Sequence, residues 1–290
     1  MAIKAAAVTA HRADSSVSVS ERIRQAYFDR LLCRVFSDGE VSDWVLKGGT
    51  GMLARVPNAR ATMDIDLYLH GHPLDEALAD LRRLARVDLG DHFRFEYLRH
   101  EQSIAGDQQP YAEGFRVTFQ AYLGVKQLQS VRVDLVTGPG SLEATEIVEP
   151  ANRVNLSRLV THPYRLYPVA NQVADKVCAT VATYSTGPSS RERDLVDLVV
   201  LATTQTVEAQ QLRTAIQAEA RRRGLGTVTA LTLPPAWGSG YEREARNIPA
   251  CAQHPAIDDA RQLMAAFIDI VLQDDHAQRQ WDSATTTWRS

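Results

Sequence analysis

The chain has 290 residues, 44% of them apolar, with a formal net charge of −3 and a pI near 6.2. That is enough for one large domain or two small ones, no apolar run approaches the ~18–20 residues of a membrane span, and the basic excess of a dedicated nucleic-acid binder is missing, although a local basic cleft can sit on an acidic body. The three cysteines, Cys33, Cys178 and Cys251, are odd in number and far apart. They make no zinc spacing and no disulfide framework, so a reducing cytoplasm is expected and each reads as a small buried hydrophobe.

The opening segment, MAIKAAAVTAHRADSSVSVS, lacks the apolar core of a secretory signal and reads as a loose leader. Ser20 to Phe36 follows with helical spacing of Ile23, Tyr27, Leu31, Leu32 and Phe36. A short strand at Trp44–Leu46 closes on a double glycine, Met52–Arg55 is helix-like up to Pro57, and MDIDLYLH (63–70) is a strand. Leu74 to Arg86 is an amphipathic helix, and three further strands are expected at 93–99, 115–123 and 131–138. After Pro168 the character turns helical: 170–184, 191–204, 207–223 ending at Gly224, and 258–272, with a Pro- and Gly-rich connection over 232–255. The expectation is an α+β fold: a mixed β-sheet core with flanking helices over 1–160, then a mainly helical half, 161–290, that completes the active-site cleft. The boundary falls between 150 and 168.

Three features carry chemistry. Gly48-Gly49-Thr50 ends a strand and opens a helix. Glycines there let backbone N–H groups approach a phosphate, and a hydroxyl can bond one of its oxygens, though many plain turns also contain such a pair. The lysine precedes the glycines, so this is neither a P-loop nor a dinucleotide fingerprint. Asp64 and Asp66 lie two apart in a strand and face one side. They either share a hard divalent cation or line a solvated edge. Asp134 is a third carboxylate in an apolar strand, able to join them around two metal ions or to pair with Arg116 or Arg132.

Gly-Gly-Thr, then Asp-x-Asp, then a later strand aspartate resembles the DNA-polymerase-β-like nucleotidyltransferases. The string LKGGT…RATMDIDL over 46–67 is similar to the AbiEii/AbiGii toxin branch, which includes the MenT toxins. Lys176 in QVADKVCAT resembles that branch's lysine-bearing helix, and RERDLVDLVVL, with Arg191, Arg193, Asp194 and Asp197, resembles its Arg-x-Lys-Asp-x-x-Asp-Leu motif with Arg193 in the lysine place. The likeness spans about 45–201; residues 202–290 carry no match.

The resemblance implies a nucleotidyltransferase-like fold and a toxin of a toxin–antitoxin system that moves nucleotides, pyrimidine ones by preference, from an NTP to the 3′ end of tRNA. Aminoacylation and translation then stop. Asp64, Asp66 and Asp134 would hold Mg2+ in a two-metal site, with Mn2+ as a substitute, and Asp134 would orient or deprotonate the acceptor hydroxyl. Gly48, Gly49, Thr50 and Lys176 would bind the triphosphate, with Arg60, Arg191 and Asp194 as further nucleotide contacts. Asp197 would act directly and Asp194 would support Lys176. A cognate antitoxin is implied; a membrane is not. Arg221–Arg223, Arg243 and Arg246 are candidates to track RNA, and Trp237 and Tyr241 either stack on a base or plug the helical half. Thr62 is a candidate point of control by modification. The competing classes are a nucleotidyltransferase for a small molecule or protein, a metal-dependent nuclease, a glycosyltransferase, and a non-catalytic binding partner.

Overall fold

A computed structural model describes residues 2–102, 114–138, 145–153, 156, 159–184, 187–273 and 278–290. Among these, one compact unit runs to Tyr167 and a second from Pro168. The segment expected to be a loose leader is instead a helix, α1 (Ala2–Ala13), with Ala7 buried and Ile3 packed on the main core. Its alanines favour helix without supplying much apolarity, so the stripe that marks a core helix is faint. Helix α2 (Val19–Val35) starts on a capping box: Ser18 accepts from the Glu21 N–H at 3.2 Å, and the Ser18 N–H donates to Glu21 Oε2 at 2.9 Å.

The first unit continues through β1 (Trp44–Lys47), α3 (Gly48–Arg55), β2 (Ile65–His70), α4 (Leu74–Leu84), β3 (Phe93–Gln102), β4 (Gly114–Leu123), β5 (Lys126–Gln127), β6 (Val131–Gly138), β7 (Glu146–Val148) and β8 (Tyr164–Leu166). The strands form one mixed sheet in the order β3-β4-β6-β2-β1-β8-β7, with β5 on β4. The β2–β6 and β1–β8 pairs are parallel and the others antiparallel. One face is apolar. Ile65, Leu67 and Leu69 of β2, Val133 and Leu135 of β6, and Val117 and Phe119 of β4 pack with Leu31, Leu32 and Val35 of α2 and Leu78 and Leu81 of α4. The alternation forces every second residue of these strands onto the opposite face, and there the chemistry collects.

The second unit contains α5 (Val169–Val181), a ribbon of β9 (Thr183–Tyr184) and β10 (Gly187–Pro188), α6 (Glu192–Thr204), α7 (Ala209–Arg222), α8 (Ser239–Ala245), α9 (Ile257–Met264), α10 (Ile270–Gln273) and a ribbon of β11 (Gln280–Asp282) and β12 (Thr287–Arg289). Three expectations shift here. The 170–184 helix stops at Val181, and Thr183 and Tyr184 are strand. The 258–272 helix is interrupted by a π-helical turn at Ala265–Asp269. The 232–255 connection holds α8 and a 3₁₀ turn at Pro249–Cys251.

All three cysteines are buried and unbridged. Burial pushes the Cys33 thiol up to about 11 and those of Cys178 and Cys251 up to about 12. The native protein is therefore expected to resist a thiol reagent at neutral pH and to react at all three positions once unfolded. Fast labelling of the folded chain would contradict this burial. Among the described residues no helix is long and apolar enough to cross a membrane.

Candidate active site

Asp66 of β2 sits opposite Asp134 of β6 in the parallel register, Lys47 of β1 sits opposite Asp66, and Arg116 of β4 sits opposite Asp134. Register partners project to the same side of a sheet. Asp64, just before β2, and Arg132, two residues before Asp134, join that face. Three acids and three bases thus share one polar surface. Tyr68 and Tyr167 with Val45 form a small apolar patch farther along it, and Tyr68 donates to the Gly138 carbonyl at 3.1 Å. The alternation that exposes Asp64 and Asp66 also sends Tyr68 and His70 to this side. That spacing alone could have marked both as candidates, and neither is among the expected site residues.

The carboxylates do not gather into a ready-made ligand cluster. Asp134 accepts two bonds from Arg116, from Nε at 2.8 Å and Nη2 at 2.9 Å, and Asp64 accepts one from Arg132 Nε at 2.6 Å. The hydrogen bonds and charge of Asp134, with Asp64 and Glu101 nearby, push the Arg116 guanidinium up from its ordinary value. Asp66 accepts from the Gly49 N–H at 3.2 Å. Among the described residues no group of three or more His, Cys, Asp or Glu side chains stands close enough to hold an ion together. The expected convergence on one point is therefore a convergence of backbone on one face, with the side chains turned to separate partners. The donor set itself suits a hard divalent ion, since all of it is carboxylate oxygen.

Helix α3 begins at Gly48, so its N-terminus meets this face. Gly48 has φ +58, and a Cβ there would lie 2.1 Å from Asp66 Oδ2. Only glycine lets the chain turn there against the carboxylate. At Gly49 a Cβ would lie 3.0 Å from Thr62, with Arg60 Nη1 3.8 Å away. The glycines are expected to make room for phosphates; here the missing side chain of Gly48 makes room for Asp66, which accepts from the Gly49 N–H at the helix N-terminus as an anion would. Thr50 is buried, and its hydroxyl donates to the Asp64 carbonyl at 2.8 Å, joined there by Thr62 at 3.2 Å. Its one proton braces the Asp64 backbone, and toward a phosphate it presents lone pairs only.

In the second unit, Lys176 of α5 reaches Asp194 Oδ1 at 3.0 Å and Asp197 Oδ2 at 2.5 Å. The two acids lie three apart on α6, on the face turned to α5. The Lys176 side chain is 8% exposed and that of Asp197 0%. Both carboxylates hold the lysine, the Asp197 side chain fully enclosed and that of Asp194 14% exposed. Arg191, ahead of α6, lies 3.5 Å from Asp194. Arg193 turns away to Glu244 of α8 at 3.2 Å, so the exchange of arginine for the motif's lysine falls outside the Lys176 cluster.

The remaining candidates separate by burial. Trp237 and Tyr241 are buried and bonded to the Ser189 and His254 carbonyls at 2.8 and 2.6 Å, so they plug the helical unit. Arg223 is enclosed on Glu219 at 2.5 Å, and Arg222 pairs with the same glutamate. Arg221, Arg243 and Arg246 are exposed.

The profile of the AbiEii nucleotidyl transferase toxins, of type IV toxin–antitoxin systems, matches residues 30–286. The chain belongs to that family: it is a nucleotidyltransferase, and a toxin of the AbiEii type. Membership implies an NTP substrate and a cognate antitoxin. Among solved structures it is similar to MenT4, a nucleotidyltransferase toxin of Mycobacterium tuberculosis H37Rv, with a TM-score of 0.51 and 18% identity over 79% of this chain and 75% of that one. JHP933 of Helicobacter pylori matches with a TM-score of 0.37 and 14% identity over 68% of this chain and 75% of that one. A nucleotidyltransferase-like antigen of Paracoccidioides brasiliensis gives 0.40 and 14%, over 69% and 88%. No curated relative matches.

Proposed function

We propose that this toxin transfers a nucleotide, by preference a pyrimidine one, from an NTP to the 3′ end of tRNA, with Asp64, Asp66 and Asp134 as its divalent-metal site. The observation that carries the reading is the parallel register of Asp66 with Asp134, with Asp64 on the same face beside the N-terminus of α3. The acceptor's terminal hydroxyl oxygen attacks the α-phosphorus, forming a phosphodiester as the α–β bond breaks and pyrophosphate leaves. Asp134 orients that hydroxyl and receives its proton. Magnesium, or manganese in its place, would be held by Asp64, Asp66 and Asp134 and would supply positive charge to the reacting phosphates. Gly48 and Gly49 fix Asp66, and Thr50 fixes Asp64. In the second unit Lys176, Arg191 and Asp194 are assigned to the nucleotide by family likeness, with Asp197 as the residue that positions Lys176; Arg60 is assigned likewise in the first. Halting aminoacylation would stop translation, so the protein acts where tRNA is charged, in the cytoplasm.

The test is transfer of label from each α-phosphate-labelled NTP, with magnesium, onto total tRNA by wild type and Asp64→Ala. Label on tRNA is expected, best from CTP or UTP, and reduced at least about a hundredfold in the variant, no less than the loss of a supporting metal contact. The acidic balance of the chain favours one other acceptor class, a small molecule. NTP consumed with no label on tRNA would select it.

A further inference from the structure

Arg116 and Arg132 flank the row of carboxylates, and folding gives no sufficient reason for either. Their side chains are 48% and 45% exposed, and those of their partners Asp134 and Asp64 are 24% and 25% exposed. Ion pairs this wet add little stability. The sealed Lys176–Asp197 pair, at 8% and 0%, is the contrasting case, where enclosure makes the partner indispensable. Yet the two wet pairs are well made. Arg116 grips both oxygens of Asp134, at 2.8 and 2.9 Å, and Arg132 holds Asp64 at 2.6 Å.

What the arginines do engage is the donor set itself. A carboxylate offers two oxygens and about four lone-pair positions; Arg116 takes one on each oxygen of Asp134, and Arg132 takes one on Asp64 Oδ1. A magnesium-like ion needs those same oxygens at roughly 2 Å. It would then sit beside a fixed positive charge, with like-charge repulsion acting across a short gap. Both cations cannot be held well at once. The arginine is the one able to leave, because its head is already at the solvent and its long stem swings without moving the strand.

We propose that Arg116 and Arg132 are built-in counter-cations that compete with divalent metal for Asp134 and Asp64. Metal alone then binds weakly, and binds firmly only with the triphosphate, whose negative charge receives the displaced guanidiniums. Metal and nucleotide become mutually dependent ligands, each raising the affinity of the other by the same factor. The inference rests on the carboxylates being the metal site of the proposed transferase, and it gives two residues otherwise read as structural a part in ordering its ligands.

The experiment is a titration of the full-length protein with Mn2+ alone, followed by loss of the free-ion electron paramagnetic resonance signal, so that no turnover is involved. Wild type is compared with Arg116→Gln, Arg132→Gln and the double variant, each checked by thermal melting. The double variant is expected to bind Mn2+ about tenfold more tightly, an ordinary size for coupling between ligands, and the gain should vanish when Asp64→Asn and Asp134→Asn are added. Equal or weaker binding by the double variant overturns the competition. Should the glutamines fail to fold, Arg116→Lys and Arg132→Lys keep the charge and lose the fork. A smaller gain is expected from them, and no gain overturns the proposal equally. The two readings fail separately. Label transfer by wild type with unchanged Mn2+ affinity in the variants removes the competition alone, while tighter Mn2+ binding without any label on tRNA removes the tRNA acceptor alone.

Discussion

Lys176→Met is expected to lower the unfolding free energy by about 3–5 kcal/mol, the usual consequence of stripping one partner from a buried ion pair. The loss comes less from the attraction removed than from what stays behind. Asp197 has no exposed surface, and its Oδ2 lies 2.5 Å from the ammonium; without that ammonium an enclosed carboxylate loses its counter-charge. Chemical denaturation measures the change directly. The double variant Lys176→Met/Asp197→Leu should recover part of it, because the enclosed Asp197 charge is gone while Asp194, also bonded to Lys176 at 3.0 Å, still loses that partner. A single variant as stable as wild type would mean that the cluster is wetter than its exposure indicates.

Gly48→Ala is expected to lower nucleotidyl transfer about a hundredfold, the size of effect that an ångström's misplacement of a reacting group brings. Two separate penalties meet at this residue. Its φ of +58 is left-handed, where an alanine costs about 1–2 kcal/mol. Its Cβ would also fall 2.1 Å from Asp66 Oδ2, so that the carboxylate must move. Gly124 separates the two. It has φ +57, and a methyl added there would meet nothing within 4 Å, so Gly124→Ala carries the backbone strain and no collision. Loss of stability in both variants, larger in Gly48→Ala, with loss of transfer in Gly48→Ala alone, is the expected pattern. Retained transfer by Gly48→Ala would show that Asp66 tolerates displacement and is not a metal ligand.

Much of this site is readable because strand alternation is a local property. Ile65, Leu67, Val133 and Leu135 have to face the core, and that fixes the side on which Asp64, Asp66 and Asp134 emerge. The Lys176 and Asp194/Asp197 segments are readable by family likeness. What cannot be read is set across strands. Nothing in the spacing says that Asp66 lies opposite Asp134, or that Arg116, opposite Asp134 on the other side, takes both of its oxygens. The Thr50 hydroxyl is a similar case, because its partner is a backbone carbonyl fourteen residues on. In the helical unit, Trp237 and Tyr241 are ambiguous, since an aromatic residue in a Pro- and Gly-rich stretch suits a base or a core equally. Burial decides, and burial is a property of the whole unit.

The parallel pairing of β2 with β6 also dates the site within the life of the chain. Asp134 and Arg116 are 18 residues apart and meet through antiparallel neighbours, whereas Asp64 and Arg132 are 68 apart. Short closures form readily and long ones slowly, because the ends of a long loop must first find each other. By loop length alone the Arg116–Asp134 contact is the easier to close, and the joining of the Asp64/Asp66 strand to it the harder. On a ribosome the Asp-x-Asp segment emerges well before the strand that completes it. A toxin assembled this way lacks its full set of carboxylates until β6 has been made.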